Sequence, residues 1–148
     1  GTFFLREESD KPILFIAGGT GFAPIKGMLE HAFHTGIDRE MTLYWGTRAL
    51  RDLYMPELPS AWQAAHENFR FIPVLSQPQA EDQWTGRTGR VPEAVLNDFE
   101  DLSGYQVYAC GTPAMVEAAR EKFIARGLPR DEFYADAFTF AVDSQPKP

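Results

Sequence analysis

Three glycines follow a short apolar run near the start of the chain, and this junction restricts the fold more than any other stretch. Residues 13–17 read ILFIA, a continuous apolar run typical of a strand that is buried on both faces of a sheet. The next stretch, Gly18-Gly19-Thr20-Gly21, leads into residues 24–35, where apolar side chains recur at helical spacing. A strand, a glycine-rich turn and a helix in this order predict a βαβ unit, and the free N–H groups that begin such a helix favour a bound phosphate.

The same alternation continues along the chain. Further apolar runs predict strands at residues 41–45, 69–75, 106–110 and 132–138. Helical spacing predicts helices over residues 24–35, 56–67, 91–98 and 113–126, with Pro24 and Pro113 at first helical positions. The polar residues 76–90 are expected to form a loop. Strands that alternate with helices predict an α/β fold, with a doubly wound, five-stranded parallel sheet in a three-layer α/β/α arrangement.

A ligand of such a sheet lies at the carboxyl ends of the strands. We therefore expect the strand ends to line one edge of the sheet, at residues 18–21, 46–48, 76–78 and 110–113. The glycine loop fits the dinucleotide-binding fingerprint at Gly19 and Gly21 but has Pro24 in place of the third glycine, and no Gly-Lys-Ser/Thr of an ATP-binding loop follows. A tight turn without any ligand is the alternative interpretation of this loop.

Composition argues against several classes of function. The net charge of −7 repels nucleic acids and acidic membrane surfaces, so neither is expected as a partner. The single cysteine, Cys110, cannot build a disulfide framework or a cysteine-rich metal site, and no metal ion is expected. No apolar stretch is long enough to span a membrane, and a cytoplasmic protein is expected. Because no acid–base pair falls at the strand ends, the chemistry is expected to belong to a bound cofactor, with hydride transfer the best fit.

Three motifs, in their order along the chain, resemble the NAD(P)-binding domain of the ferredoxin–NADP reductase superfamily. They are Gly18-Gly19-Thr20-Gly21-x-x-Pro24, then Tyr44-Trp45-Gly46-x-Arg48 with Asp52, then Cys110-Gly111-x-Pro113-x-Met115. Residues 133–138, FYADAF, also resemble the end of that domain, so the likeness covers residues 11–138. Within the superfamily the chain is most similar to the flavin and iron–sulfur NADH reductases of oxygenase and deoxysugar dehydrase systems.

The resemblance implies a role for each motif. Beside the pyrophosphate and nicotinamide would lie Gly18, Gly19, Thr20, Gly21 and Pro24. On the adenosine side would lie Gly46, Arg48, Asp52, Pro113 and Met115. Cys110 and Gly111 would flank the nicotinamide, with Cys110 and Thr20 as the catalytic candidates, and Phe138 would lie near a flavin.

The resemblance also implies a longer protein. Residues 1–10 would be the remnant of a preceding FAD-binding domain or a linker, residues 11–138 the pyridine-nucleotide-binding domain, and residues 139–148 a C-terminal tail. The full-length protein would pass hydride from NADH to FAD and electrons on to an iron–sulfur, oxygenase or dehydrase partner, and the resemblance allows a 2Fe-2S cluster of its own. This chain carries neither the flavin motif nor cluster cysteines, so we expect it to be inactive alone.

Two other functions stay open from the residues. One is a module that binds or senses a nucleotide without redox chemistry, and the other, less favoured, is a flavodoxin-like domain that binds FMN. Between the two dinucleotides, NADH is favoured, because Ser76-Gln77 stands where NADP-specific relatives commonly have Ser-Arg, and glutamine cannot pair with a phosphate dianion. Arg87 or Arg90 would weaken this argument if its loop folded back towards the ligand.

Overall fold

The computed structural model of the chain describes residues 3–138. Its strands are β1 (Ile13–Gly18), β2 (Met41–Thr47), β3 (Phe69–Leu75), β4 (Arg87–Thr88), β5 (Gln106–Gly111) and β6 (Phe133–Ala137). Its helices are α1 (Phe22–Thr35), α2 (Glu57–Ala65), α3 (Val91–Asp98) and α4 (Pro113–Ala125). The strands form one parallel sheet in the order β4-β3-β2-β1-β5-β6, and the expected doubly wound α/β fold is confirmed.

The strand count is the main correction to the expected fold, since the sheet has six strands and not five. The additional strand lies inside the stretch that was expected to be a loop. Only Arg87 and Thr88 form it, by pairing with Val74 and Leu75. Two polar residues give no hydrophobic periodicity, so the pairing is visible only when the neighbouring strand is in place.

The strand order changes direction beside β1. The chain runs outward from β1 to β4 on one side, then returns to β5 and β6 on the other side. The loops that follow β1 and β5 therefore leave in different directions, and a crevice opens between them at the carboxyl edge of the sheet.

Each face of the sheet has its own core. On one face α1 and α2 pack over Phe15, Trp45 and Tyr108, and on the other face α3 and α4 pack over Ile16 and Ala109. Successive side chains of a strand point to opposite faces, so a strand that is covered on both sides must be apolar at every position. This explains the uninterrupted run at the start of β1.

Helix boundaries differ from the expected ones by a few residues. α1 begins at Phe22, so Pro24 is its third residue and not its first. Pro113 is the first residue of α4, where the Thr112 hydroxyl accepts the Met115 N–H at 3.3 Å as a cap. Within residues 3–138 no helix is both long and apolar enough to cross a membrane, and the proposed tail at 139–148 lies outside the described residues.

Candidate functional site

A cleft of about 890 Å³ opens at the carboxyl edge of the sheet. Nine of the fifteen residues that were expected to contact a cofactor line it: Gly18, Gly19, Thr20, Gly46, Arg48, Asp52, Ser76, Met115 and Phe138. The other six are not among the lining residues: Gly21, Pro24, Gln77, Cys110, Gly111 and Pro113. The ends of β1, β2 and β3 and the start of α4 thus meet around one space large enough for a dinucleotide.

The glycine loop that follows β1 is held in place by the indole ring of Trp45. Trp45 donates its Nε1–H to the Gly19 carbonyl at 2.9 Å, and its ring stacks on Phe22 with centroids 4.1 Å apart. Gly19 has a φ of +55°, and a Cβ added there would meet nothing within 4 Å. At Gly19 the backbone of this loop therefore borders the cleft with no side chain in the way, which suits close approach of a pyrophosphate, whereas the Met115 methyl group lies close to Gly18.

Gly21 has a different role from the two glycines before it. It is buried, and a Cβ built on it would overlap the backbone carbonyl of Cys110. Its φ of −62° is ordinary, so the requirement for glycine is one of space and not of backbone conformation. Gly21 lets the start of α1 lie directly against the end of β5.

Cys110 lies under the edge of the cleft. Its side chain is fully buried in the core on the α1 and α2 face. Burial, with a smaller contribution from the Asp136 carboxylate, raises the pKa of the Cys110 thiol to about 12. The thiol is therefore neutral near pH 7, and thiolate chemistry is disfavoured.

The residue that follows β6, Phe138, reaches the same edge. The Phe138 N–H donates to the Gly111 carbonyl at 3.0 Å, and Phe138 lines the cleft. Tyr54, which is 46% exposed, lies on the same side, edge-on to Trp45 with centroids 5.1 Å apart. Aromatic side chains therefore border the end of the cleft near Cys110.

Positive charge is concentrated at the cleft despite the acidic chain. Four cationic side chains line it, Arg48, Arg51, Arg90 and Lys122, against two acidic ones, Asp52 and Glu93. Lys122 is paired with Glu93 at 3.2 Å. Arg51 and Lys122 belong to none of the three sequence motifs, and only the position of Arg51 next to Asp52 indicates it from the sequence. A local cationic surface of this kind favours an anionic ligand.

The loops after β2 and β3 are tied together at the edge of the cleft. The Ser76 N–H donates to the Thr47 carbonyl at 2.9 Å, and the Gln77 N–H donates to the Arg48 carbonyl at 2.7 Å. Ser76 lines the cleft, whereas Gln77 does not. These bonds hold Arg48 at the edge of the cleft.

The two arginines that could weaken the NADH argument are placed differently. Arg87 donates to the Asp98 carboxylate at 2.8 and 3.0 Å, and the Tyr44 hydroxyl donates to the same carboxylate at 2.6 Å. Arg90 lines the cleft. Arg87 is thus held against α3, while Arg90 stays close to where a ligand would bind.

Comparison with known proteins identifies the family. The family model of the oxidoreductase NAD-binding domain matches residues 15–121. The chain is 46% identical to the CDP-6-deoxy-L-threo-D-glycero-4-hexulose-3-dehydrase reductase of Yersinia pestis, over 93% of this chain and 41% of the relative. It is 39% identical to an NAD(P)H-flavin reductase of Aliivibrio fischeri, over 95% of this chain and 58% of the relative.

A solved structure shows the same arrangement. The Amycolatopsis cytochrome P450 reductase GcoB matches with a TM-score of 0.84 and 33% identity, over 93% of this chain and 41% of that one. The chain thus spans 41% to 58% of the length of these three proteins. The family match, the shared fold and the cleft together show that the chain belongs to the oxidoreductase NAD-binding domain family and is an NAD-binding domain of the ferredoxin reductase superfamily.

Proposed function

We propose that this chain is the NADH-binding domain of a longer flavin-dependent reductase. The full protein passes hydride from NADH to FAD in a preceding domain, and electrons on to an iron–sulfur, oxygenase or dehydrase partner. The observation that carries the proposal is the cleft itself, in which the glycine loop, the cationic side chains and Phe138 surround one space. The Yersinia relative, named as a dehydrase reductase, supports the same class of activity.

The residues around the cleft divide the work of binding. The backbone of Gly18 and Gly19 holds the pyrophosphate, with positive charge from Arg48 and Arg51 nearby. Met115 and Ser76 contact the adenosine half. A bound NADH supplies the hydride, so the protein needs only to hold the nicotinamide ring and exclude water from it.

Cys110 and Thr20 lie at the nicotinamide end in this proposal. The Thr20 side chain is exposed at the cleft and can donate or accept a hydrogen bond. Cys110, with its neutral and buried thiol, acts through packing: its main chain lies against the Gly21 turn, and its side chain fills the core below the cleft and so fixes where that turn borders the ring. Phe138 covers the position next to the flavin.

NADH is preferred to NADPH in this proposal. The neutral Gln77 gives no cation to a 2′-phosphate, and the Asp52 carboxylate at the cleft repels one while accepting a hydrogen bond from a ribose hydroxyl. Arg48, Arg51 and Arg90 line the same cleft and attract the additional 2′-phosphate charge of NADPH, which opposes this preference. The preference is therefore modest, about two- to tenfold, which corresponds to roughly 0.4–1.4 kcal/mol.

The domain boundaries belong to the same proposal. Residues 1–10 join the preceding FAD-binding domain, residues 11–138 form the nucleotide domain, and residues 139–148 are a tail. A domain without its flavin has no acceptor for the hydride, so the 148-residue chain is inactive alone. A 2Fe-2S cluster, where the full protein has one, lies in a further domain because this chain has a single cysteine.

Rapid mixing of the full-length protein with NADH under anaerobic conditions tests this function. We expect the flavin absorbance to bleach in a first-order phase, and the same experiment with the 148-residue chain and added cytochrome c to give no reduction. NADH binding without bleaching in the full-length protein would instead support the alternative, a module that senses the nucleotide.

A further inference from the structure

A buried arginine far from the cleft joins three separate segments of the chain. Arg39 is 7% exposed, and each of its three described side-chain bonds ends on a neutral oxygen. Its Nε–H donates to the Lys11 carbonyl at 2.7 Å, its Nη1–H to the Arg6 carbonyl at 2.9 Å, and its Nη2–H to the Gln106 Oε1 at 2.9 Å. One planar group thus holds both ends of residues 6–11 against the start of β5.

The bonds continue beyond the guanidinium. The Tyr108 hydroxyl donates to the Gln106 Oε1 at 2.7 Å and accepts the Arg6 N–H at 2.8 Å. Lys11 and Gln106 both bond Glu132, at 3.1 and 2.8 Å. The network therefore bonds the N-terminal segment at two places, through Tyr108 at Arg6 and through Glu132 at Lys11.

The N-terminal segment that Arg39 holds packs against the domain along residues 3–11. Leu5 is buried on the α1 and α2 face, and the Phe3 ring meets Tyr108 edge-on with centroids 6.2 Å apart. The Arg6 guanidinium lies 4.4 Å from the ring centre of Tyr134, on β6. Residues 3–11, here called the strap, are thus packed on the domain and contact β5 and the edge strand β6.

The bonds of Arg39 are unusual for a buried arginine. Burial lowers the pKa of the guanidinium, against the opposing effect of Tyr108 and of the nearby Asp10, Glu132 and Glu8 carboxylates, and no carboxylate is among its bonded partners in the described residues. Lysine would not serve equally well, because its three donors share one nitrogen, whereas Arg39 reaches its three acceptors from three separate nitrogens of a rigid planar group. A packing role alone does not require this geometry, whereas fixing the path of the strap does.

We propose that Arg39 is a positioning residue for hydride transfer: by clamping the strap it sets where the preceding flavin domain sits relative to the nicotinamide. This inference rests on the proposed function, since it takes the strap to lead into the flavin domain. Arg39 lies at the opposite end of the sheet from the cleft, where β1 and β5 begin. It therefore acts on the distance between the two rings without touching either.

Arg39→Gln in the full-length protein tests the clamp. We expect the rate of flavin reduction at saturating NADH to fall about 10- to 100-fold, because a displacement near 1 Å between reacting groups costs this much. The dissociation constant of NADH should change less than about threefold, because the cleft is untouched. Amide hydrogen exchange in the strap should accelerate, while β1 and β5 stay protected.

Arg126→Gln is the matched control. Arg126 also donates to two backbone carbonyls, of Leu96 and Phe99 at 3.1 and 2.8 Å, but it ties α3 to the end of α4 and does not contact the strap. It should lower the melting temperature without slowing flavin reduction. If Arg39→Gln folds poorly, Tyr108→Phe removes only the hydroxyl that bonds Arg6 and Gln106, and it should slow reduction in the same direction.

The outcomes separate the clamp from the proposed function. A wild-type protein whose flavin NADH does not reduce would refute the proposed function, whatever Arg39 does. An active wild type in which Arg39→Gln reduces flavin at the wild-type rate, or in which Arg126→Gln slows reduction equally, would refute the clamp.

Discussion

Gly21→Ala is the substitution whose effect on the cleft follows most directly from the structure. The added methyl group would overlap the Cys110 carbonyl, which is main chain and part of the central strand β5. Neither a rotamer change nor a small shift of one side chain can relieve this contact. The start of α1 must move away from the sheet, and the glycine loop before it must move as well.

The loss of stability expected for Gly21→Ala can be compared with the effect of a control substitution in the same helix. Crowding a packed interior by one carbon costs about 1–3 kcal/mol, and the ordinary φ of Gly21 adds no backbone strain. Gly27 also lies in α1, is exposed, and has nothing within 4 Å of an added Cβ. Gly27→Ala should therefore stabilise the domain by about 0.5–1 kcal/mol, because alanine is the better helix former.

Denaturant unfolding and NADH calorimetry on both variants test whether Gly21→Ala destabilises the domain and Gly27→Ala stabilises it. We expect Gly21→Ala to unfold at lower denaturant and to bind NADH at least about tenfold more weakly, since a loop that has moved no longer offers its N–H groups to the pyrophosphate. Gly27→Ala should bind NADH as the wild type does. A Gly21→Ala variant with wild-type stability and affinity would refute the packing argument.

Three further predictions concern specificity, hydride transfer and pH. Gln77→Arg should move the affinity ratio towards NADPH, as measured by calorimetry with both dinucleotides; an unchanged ratio would mean that residue 77 does not face the 2′ position. In the full-length protein, Cys110→Ala should slow flavin reduction by roughly tenfold or more while NADH affinity stays within a few-fold, because the thiol would affect ring placement and not the binding contacts; equal reduction rates in rapid mixing would leave Cys110 a core residue only. Burial raises the pKa of the Cys110 thiol to about 12 in the folded chain, whereas the thiol of the unfolded chain ionises from about pH 8.5. The stability that the neutral buried thiol contributes is therefore complete below about pH 8.5. It is lost as the pH rises from there towards 12. In urea unfolding across that range, the free energy of unfolding of the wild type should thus fall by up to about 1.4 kcal/mol per pH unit more than that of Cys110→Ala. If the two free energies fell in parallel with pH, the raised pKa of Cys110 would be contradicted.

Much of the fold could be predicted because its signals are local. The apolar run in β1 and the proline that begins α4 each identify an element from a few neighbouring residues. The strand β4 could not be predicted, since two polar residues become a strand only through their pairing with Val74 and Leu75.

The strand ends that form the cleft could be predicted from the sequence, but the side chains that face it could not. A strand end was correctly expected near Cys110, yet which of its residues face the cleft depends on register and on how closely α1 packs, and the thiol proves to be buried. The bond from Trp45 to Gly19 links residues 26 positions apart, so no motif contains it. Arg39 was not singled out, because its partners Arg6, Lys11 and Gln106 lie in two distant parts of the chain.

Mapping NADH onto the domain by NMR titration tests the central claim most directly. The account predicts that the amide resonances that shift belong to the carboxyl edge, in Gly18–Thr20, Gly46–Arg48, Ser76, Thr112, Ala114 and Met115. Amides at the opposite edge, such as those of Ile13, Met41 and Phe69, should stay in place. Shifts confined to that opposite edge, or no shifts at NADH concentrations that saturate related reductases, would contradict the assignment of the cleft as the NAD(H) site.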